Sequence, residues 1–332
     1  MACILVFVGF TACSRPIVSQ SELLFGTICN ITLFDRGRPQ VYRDIFRRLG
    51  EIERKMSVFI QGSDVDRINM AAGVEAVRVQ DDVFELIERA LYYAELSWGA
   101  FDPTVGPLVA LWDLNQGTNG DFRIPSQDEI DGVLPLINWR NVELDRVNKT
   151  VFLKNPGMAI DLGAIAKGYA ADEAAFIIQR AGIPRAIIDL GGNILFVGLR
   201  EDRGPWRVGI QDPLEHRGAY MGIAQVHQQT VVTSGVYERY VIADGVQYHH
   251  IFLPSNGYPV RNGLFAVTII GDNSMEADAL STAVFVLGYE RGRALIEALE
   301  GVEAIFVFED MSIGLTAGAD FILTDNRYTI DF

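Results

Sequence analysis

Residues 185–271 constrain the fold most. Four short apolar runs, "RAIIDLGGNILFVG" (185–198), "PWRVGIQDP" (205–213), "GIAQVHQQTVVTSG" (222–235) and "LFAVTIIG" (264–271), lie close together and are broken by Gly, Asp and Pro. The first contains a glycine pair that reads as a turn between two strands, and the last reads as a buried strand. Further strands are expected at 24–35, at 303–310 and at 324–332, with a hairpin over 141–155. Helical periodicity is confined to a few blocks. In 40–57 Val41, Ile45, Leu49 and Ile52 line one face, and 81–99 has acidic residues in its first turn and Gly99 as a stop. A short helix is expected at 63–69, another ending near Arg180 and another at 274–288. Residues 113–135 read as a polar surface excursion. Hairpin-spaced strands with grouped helices indicate an α+β fold with largely antiparallel sheets flanked by helices, not a regular βαβ succession.

At 332 residues and 49% hydrophobic content the chain is globular. Its net charge of −15 repels phosphate backbones and argues against nucleic-acid binding. Cys3, Cys13 and Cys29 are its cysteines, which leaves no disulfide framework or cysteine zinc site in the body of the chain. The N-terminus, "MACILVFVGFTACSRP", carries an apolar run too short to span a bilayer, followed by small residues and Cys13. This matches a lipoprotein-type signal at 1–12, lipidation at Cys13 and a polar tether over 13–22, although no Lys or Arg precedes the run. The competing reading is a buried first strand.

Several stretches could carry chemistry. "IDLGAIAKGYAAD" (160–172) puts Asp161, Gly163, Lys167 and Gly168 at the mouth of an apolar helix. Asp161 can be an ordinary N-cap and Lys167 a solvated side chain. Together with free N–H groups and glycines that allow close approach, they can also form an anion site. The chain has neither a Walker A loop nor GxGxxG. In "EADALST" (276–282) Asp278 and Thr282 are four residues apart and share a helix face, beside Ser281. A carboxylate with hydroxyls suits Mg²⁺; the plainer reading is a helix-start Asp with a buried threonine. His249 and His250 are half of the four histidines. In a strand only one of them can face a given cleft, and it can act as acid or base near neutral pH. Phe101, in "GAFDPTVGPLVALW", and Phe59 could stack on a flat ring or simply pack the core.

Seven motifs in order, "FGT" (25–27), "GAFDPTVGPL" (99–108), "IDLGAIAKGYAAD", "DLGGNI" (189–194), "TSGVYERY" (233–240), "YHHIFLPSNGYPV" (248–260) and "ADALSTAVFVLG" (277–288), resemble the FAD:protein FMN transferase family, the ApbE-like lipoproteins. The resemblance spans residues 24–332. It implies a T-fold-like architecture and a catalytic domain over 23–332. It also implies Mg²⁺-dependent transfer of FMN from FAD to a Thr or Ser hydroxyl of a target flavoprotein with release of AMP, and in some members hydrolysis of FAD. By position, it puts FAD contacts on Phe25, Phe59, Ala100, Phe101, Asp102, Asp161, Lys167 and Ile251. Metal ligation falls on Asp278, Thr282 and the Ala164 carbonyl, and catalysis on His250 with Asp278. The implied partners are flavoproteins of the cell envelope, subunits of redox pumps, and the implied location is a lipid anchor on the periplasmic side of the inner membrane. Three positions depart from the family: Phe25 for its usual Met, Phe59 for Tyr and Ser281 for Asp. The alternatives are a lipid-tethered flavin carrier without turnover and an interaction lipoprotein with a dead site.

Overall fold

A computed structural model describes residues 18–34, 38–114 and 122–331. In chain order its elements begin with β1 (Val18–Leu24) and β2 (Thr27–Leu33), then α1 (Pro39–Met56), α2 (Asp64–Met70), β3 (Val77–Arg78), α3 (Asp81–Leu96), α4 (Gly106–Trp112) and α5 (Gln127–Val133). The hairpin β4 (Val142–Asp145) and β5 (Thr150–Leu153) precedes α6 (Ala166–Arg180), β6 (Ala186–Leu190), β7 (Asn193–Val197), β8 (Trp206–Gln211), β9 (Tyr220–Val226) and β10 (Thr230–Gly235). After them come β11 (Tyr240–Ala243), β12 (Val246–His249), β13 (Leu264–Gly271), α7 (Ser274–Leu287), α8 (Tyr289–Glu297), β14 (Glu303–Phe308), β15 (Ser312–Leu315), β16 (Phe321–Leu323) and β17 (Thr329–Ile330).

Nine strands form the central sheet, in the order β1-β2-β6-β7-β10-β13-β14-β15-β17. Every pairing in it is antiparallel except β15 with β17. Strand alternation divides its side chains between two cores. Val232, Val267, Ile269 and Phe306 enter the core shared with the helices; their neighbours Val231, Ala266, Ile270 and Ile305 enter a second core against the small β8-β9-β16 sheet. Burial on both faces is why 264–271 reads as an unbroken apolar run.

α6 and α7 lie against the central strands and against each other. Their close approach follows from sequence: Ala170, Ala171 and Ala174 are fully buried, and a Cβ on Gly168 would stand 2.2 Å from the Ser274 carbonyl oxygen.

The structure moves several expected boundaries. Residues 18–22 of the expected tether belong to β1, whereas the signal segment and Cys13 lie outside the described residues. The excursion at 113–135 contains α5, started by a capping box in which Ser126 Oγ accepts from the Glu129 N–H and the Glu129 carboxylate accepts from the Ser126 N–H. Only Thr329 and Ile330 of the stretch 324–332 form a strand. Among the described residues no helix is long and apolar enough to cross a membrane.

Candidate active site

Contacts link five separate stretches near one another. The first is the β1–β2 turn. Leu24 pairs with Thr27, so Phe25 and Gly26 form a two-residue loop with φ of +54° and +69°. That is the geometry of a type I′ turn, strained for Phe. The Phe25 N–H donates to the Glu53 carboxylate of α1 at 2.6 Å.

The second and third stretches, 99–106 and 159–168, run side by side. Val105 bridges Ala159, and the Asp161 N–H donates to the Pro103 carbonyl at 2.8 Å. Asp161 is not the N-cap of α6, which starts five residues later. Its Oδ1 accepts the Gly163 N–H at 2.7 Å, forming an Asx turn. Burial raises the Asp161 pKa, opposed by the Gly163 N–H, Arg239 and Lys167. Asp102 points inward, 8% exposed. Its oxygens accept from the Thr104 N–H and hydroxyl and from the Trp139 N–H. Burial raises its pKa as well, against these hydrogen bonds.

Of the two rings that could stack on a flat ring or pack the core, Phe101 is 3% exposed in the core whereas Phe59 is 72% exposed. Phe101 therefore shapes the loop from beneath. Ile251 is likewise buried, its N–H donating to His249 Nδ1 and its carbonyl accepting from Val260.

The fourth stretch is α7, the source of Asp278, Ser281 and Thr282. Asp278 Oδ2 accepts the Gly168 N–H at 2.9 Å, and Lys167 Nζ lies 3.5 Å from Oδ1. Gly168 is the third residue of α6, so its N–H is one of the donors that a helix start leaves unpaired. Asp278 caps that donor, and among the described residues the Ala164 carbonyl, one residue before the N-cap Ile165, accepts no hydrogen bond. A free carbonyl, one carboxylate and nearby hydroxyls form an all-oxygen donor set, which fits a hard divalent cation. Ser281, Ser234 and Thr282 link through hydroxyl contacts of 2.8 and 3.4 Å, and Ser281 also donates to the Asp278 carbonyl. Among the described residues no three His, Cys, Asp or Glu side chains cluster as metal ligands; this donor set contains one carboxylate.

Lys167 is thus not solvated: it pairs with Asp278 and donates to the Gly163 carbonyl at 3.3 Å. Gly168 serves helix packing. The group that approaches its backbone is the start of α7.

Asp172 fixes that start, its two oxygens accepting from the Ser274 and Met275 N–H groups at 3.0 and 2.9 Å. Burial pushes its pKa up to about 6 against those hydrogen bonds, with Glu173 and Asp278 raising it further. The native chain therefore binds the proton more tightly than the unfolded chain. Stability from this group falls as pH rises from about 4 to about 6 and is flat on either side. Asp172→Asn should remove that slope, as measured by urea unfolding at pH 4.5 and 7; an unchanged slope would reassign it. Asp172→Ala should lose about 1–2 kcal/mol at pH 7 through the missing cap.

The fifth stretch contains both histidines. His249 is buried with both ring nitrogens committed. Nε2 donates to the Val260 carbonyl at 2.8 Å and Nδ1 accepts from Ile251. His250 is half-buried, and the Arg239 carbonyl accepts from both its backbone N–H (3.1 Å) and its Nδ1 (3.2 Å). A carbonyl can only accept, so the proton sits on Nδ1 and the Nε2 lone pair is free. Burial, then the Arg239 charge, with smaller contributions from His249 and Lys167, hold His250 down at about 3, so it is neutral at pH 7.

Arg239 is a residue of this region that motif reading did not single out. It lies inside "TSGVYERY", where Tyr237 and Tyr240 bracket Glu238 and Arg239 in a stretch already dense in polar side chains. Its guanidinium stands 3.9 Å from where a Gly26 side chain would begin, which joins the first stretch to the fifth.

The largely antiparallel sheet backed by close-packed helices is the fold of solved flavin transferases. The ApbE protein of Thermotoga maritima superposes with a TM-score of 0.83 at 34% identity, covering 91% of this chain and 97% of that one. The flavin transferase ApbE of Vibrio cholerae superposes with 0.77 at 28% identity, covering 94% and 99%. The model of the ApbE family matches residues 25–306. The FAD:protein FMN transferase of Treponema pallidum (strain Nichols) is 36% identical over 96% of this chain and 92% of its own length. The one from Klebsiella pneumoniae (strain 342) is 36% identical over 91% and 92%. The chain belongs to the ApbE family.

Proposed function

We propose that this chain transfers FMN from FAD to a serine or threonine hydroxyl of a protein acceptor and releases AMP. The observation that carries this reading is the start of α6, where the Asp278 carboxylate caps the Gly168 N–H near a threonine hydroxyl and a carbonyl that, among the described residues, accepts no hydrogen bond. A neutral histidine stands close enough to the adjoining Lys167 to feel its charge.

Asp278, the Ala164 carbonyl and Thr282 would hold Mg²⁺. When bound, the cation supplies charge neutralisation as the diphosphate is cleaved. The chain's own groups do the rest. Lys167 faces the phosphates. His250 Nε2 takes the proton of the acceptor hydroxyl, whose oxygen bonds to the FMN phosphorus as the bond from that phosphorus to the AMP oxygen breaks. Because phosphoryl transfer asks little covalent help of a protein, positioning and charge carry most of the acceleration.

Incubation of a target flavoprotein with FAD, Mg²⁺ and this protein should add the mass of FMN to the acceptor. Free FMN and AMP with no labelling would instead make the chain a diphosphatase. Intact, bound FAD would make it a carrier. For His250→Ala we expect a folded protein that binds FAD and transfers about 10²–10⁴-fold more slowly. A wild-type rate would remove the base role. The reading extends to a lipid anchor at Cys13 and an acceptor in the cell envelope, supported by the N-terminal sequence. Metabolic labelling with palmitate tests the anchor, and Cys13→Ser should abolish the label.

A further inference from the structure

The chain has 43 acidic residues against 28 basic ones, and many of its arginines have found a carboxylate. Arg47, Arg48, Arg67, Arg123, Arg146, Arg200, Arg293 and Arg327 all do so. Arg239 does not. Among the described residues no carboxylate lies within ion-pair distance of its guanidinium, and the side chain is exposed. Its backbone is nonetheless held, because its carbonyl receives both hydrogen bonds from His250. The guanidinium lies over the Phe25–Gly26 turn. Its charge is felt at Asp161 and at His250, so it faces the same space as Lys167.

The two cations differ in what they have left to give. Lys167 already donates to Gly163 and pairs with Asp278. Arg239 keeps its planar fork of donors free, and that fork matches two oxygens of a phosphate at once. Gly26 leaves the fork room: a side chain there would begin 3.9 Å from Nη2, and the backbone at φ +69° favours glycine.

We infer that Arg239 binds the diphosphate of the flavin dinucleotide and, through its own carbonyl, sets His250 in register with it. This inference rests on the transferase reading. One residue then grips the substrate and orients the proposed base, so the two roles share a single backbone position.

Flavin-fluorescence titration with FAD and with riboflavin, which has no phosphate, separates the possibilities. R239A should weaken FAD binding by about 10- to 100-fold, the range of a lost charge-assisted hydrogen bond. Riboflavin binding should be unchanged, and R239K should recover part of the loss as a point charge without the fork. R239Q, which keeps the aliphatic stem, should behave as R239A. Equal FAD affinity in wild type and R239A overturns the inference, and so does an equal loss for both ligands, which a merely structural role would give. An unfolded R239A also overturns it, because an exposed guanidinium without a partner should not support the fold. If the wild type binds FAD with this Arg239 dependence yet labels no acceptor, the inference stands and the transferase reading falls. A wild type that binds no FAD ends both.

Discussion

Asp278→Asn should reduce FMN transfer at least about 10³-fold while leaving FAD binding largely intact. A metal clamp on a phosphoryl group stabilises the transition state by several kcal/mol, and each 1.36 kcal/mol is a factor of ten. Asp278 is the one carboxylate of the expected donor set, so its amide removes the formal negative charge there. Asparagine is the better probe than alanine because its oxygen can still accept the buried Gly168 N–H. Asp278→Ala would also orphan that donor at a cost of about 1–3 kcal/mol and confuse stability with chemistry. The readout is acceptor mass against time over a Mg²⁺ series, with FAD affinity measured separately. Turnover within tenfold of wild type at saturating Mg²⁺ would take the cation away from this position.

Gly168→Ala should destabilise the protein by about 3 kcal/mol, the upper end for overpacking, and impair transfer as well. The new methyl would meet the Ser274 carbonyl at 2.2 Å and the Met275 Cα at 2.6 Å, both backbone atoms that cannot rotate away. Relief requires α6 and α7 to separate, which pulls Asp278 from the Gly168 N–H and leaves that helix-start donor uncapped. A urea midpoint within 0.5 kcal/mol of wild type, with the slope unchanged, would show that the helices tolerate the spacing. The packing account of Gly168 would then fail.

Much of the fold was legible because its signals are local. The continuous run 264–271 is β13 residue for residue, and the amphipathic stripe at 40–57 is α1 to within a residue at each end. β1 was not legible. It is an edge strand whose Ser19, Gln20, Ser21, Glu22 and Leu23 are all exposed, so it has no buried face and no alternation to read. α5 was hidden for a related reason: in seven mostly polar residues it buries Ile130 alone. Phe101 and Phe59 show the limit for side chains. Both are aromatic, but only packing with the rest of the chain decides that one lies in the core and the other in solvent.

The amino-acid sequence alone determined the set of reactive groups and their order, and with them the family. Only the resemblance pointed to His250 over His249; the hydrogen bonds that distinguish the two rings depend on which carbonyl each meets. The sequence could not show that Asp278 caps the start of a helix 110 residues away, at the Gly168 N–H. Those decisions belong to the tertiary structure. Hydrogen-bond partners at helix ends and turns are settled by whichever segment packs against them, and here that segment comes from distant sequence.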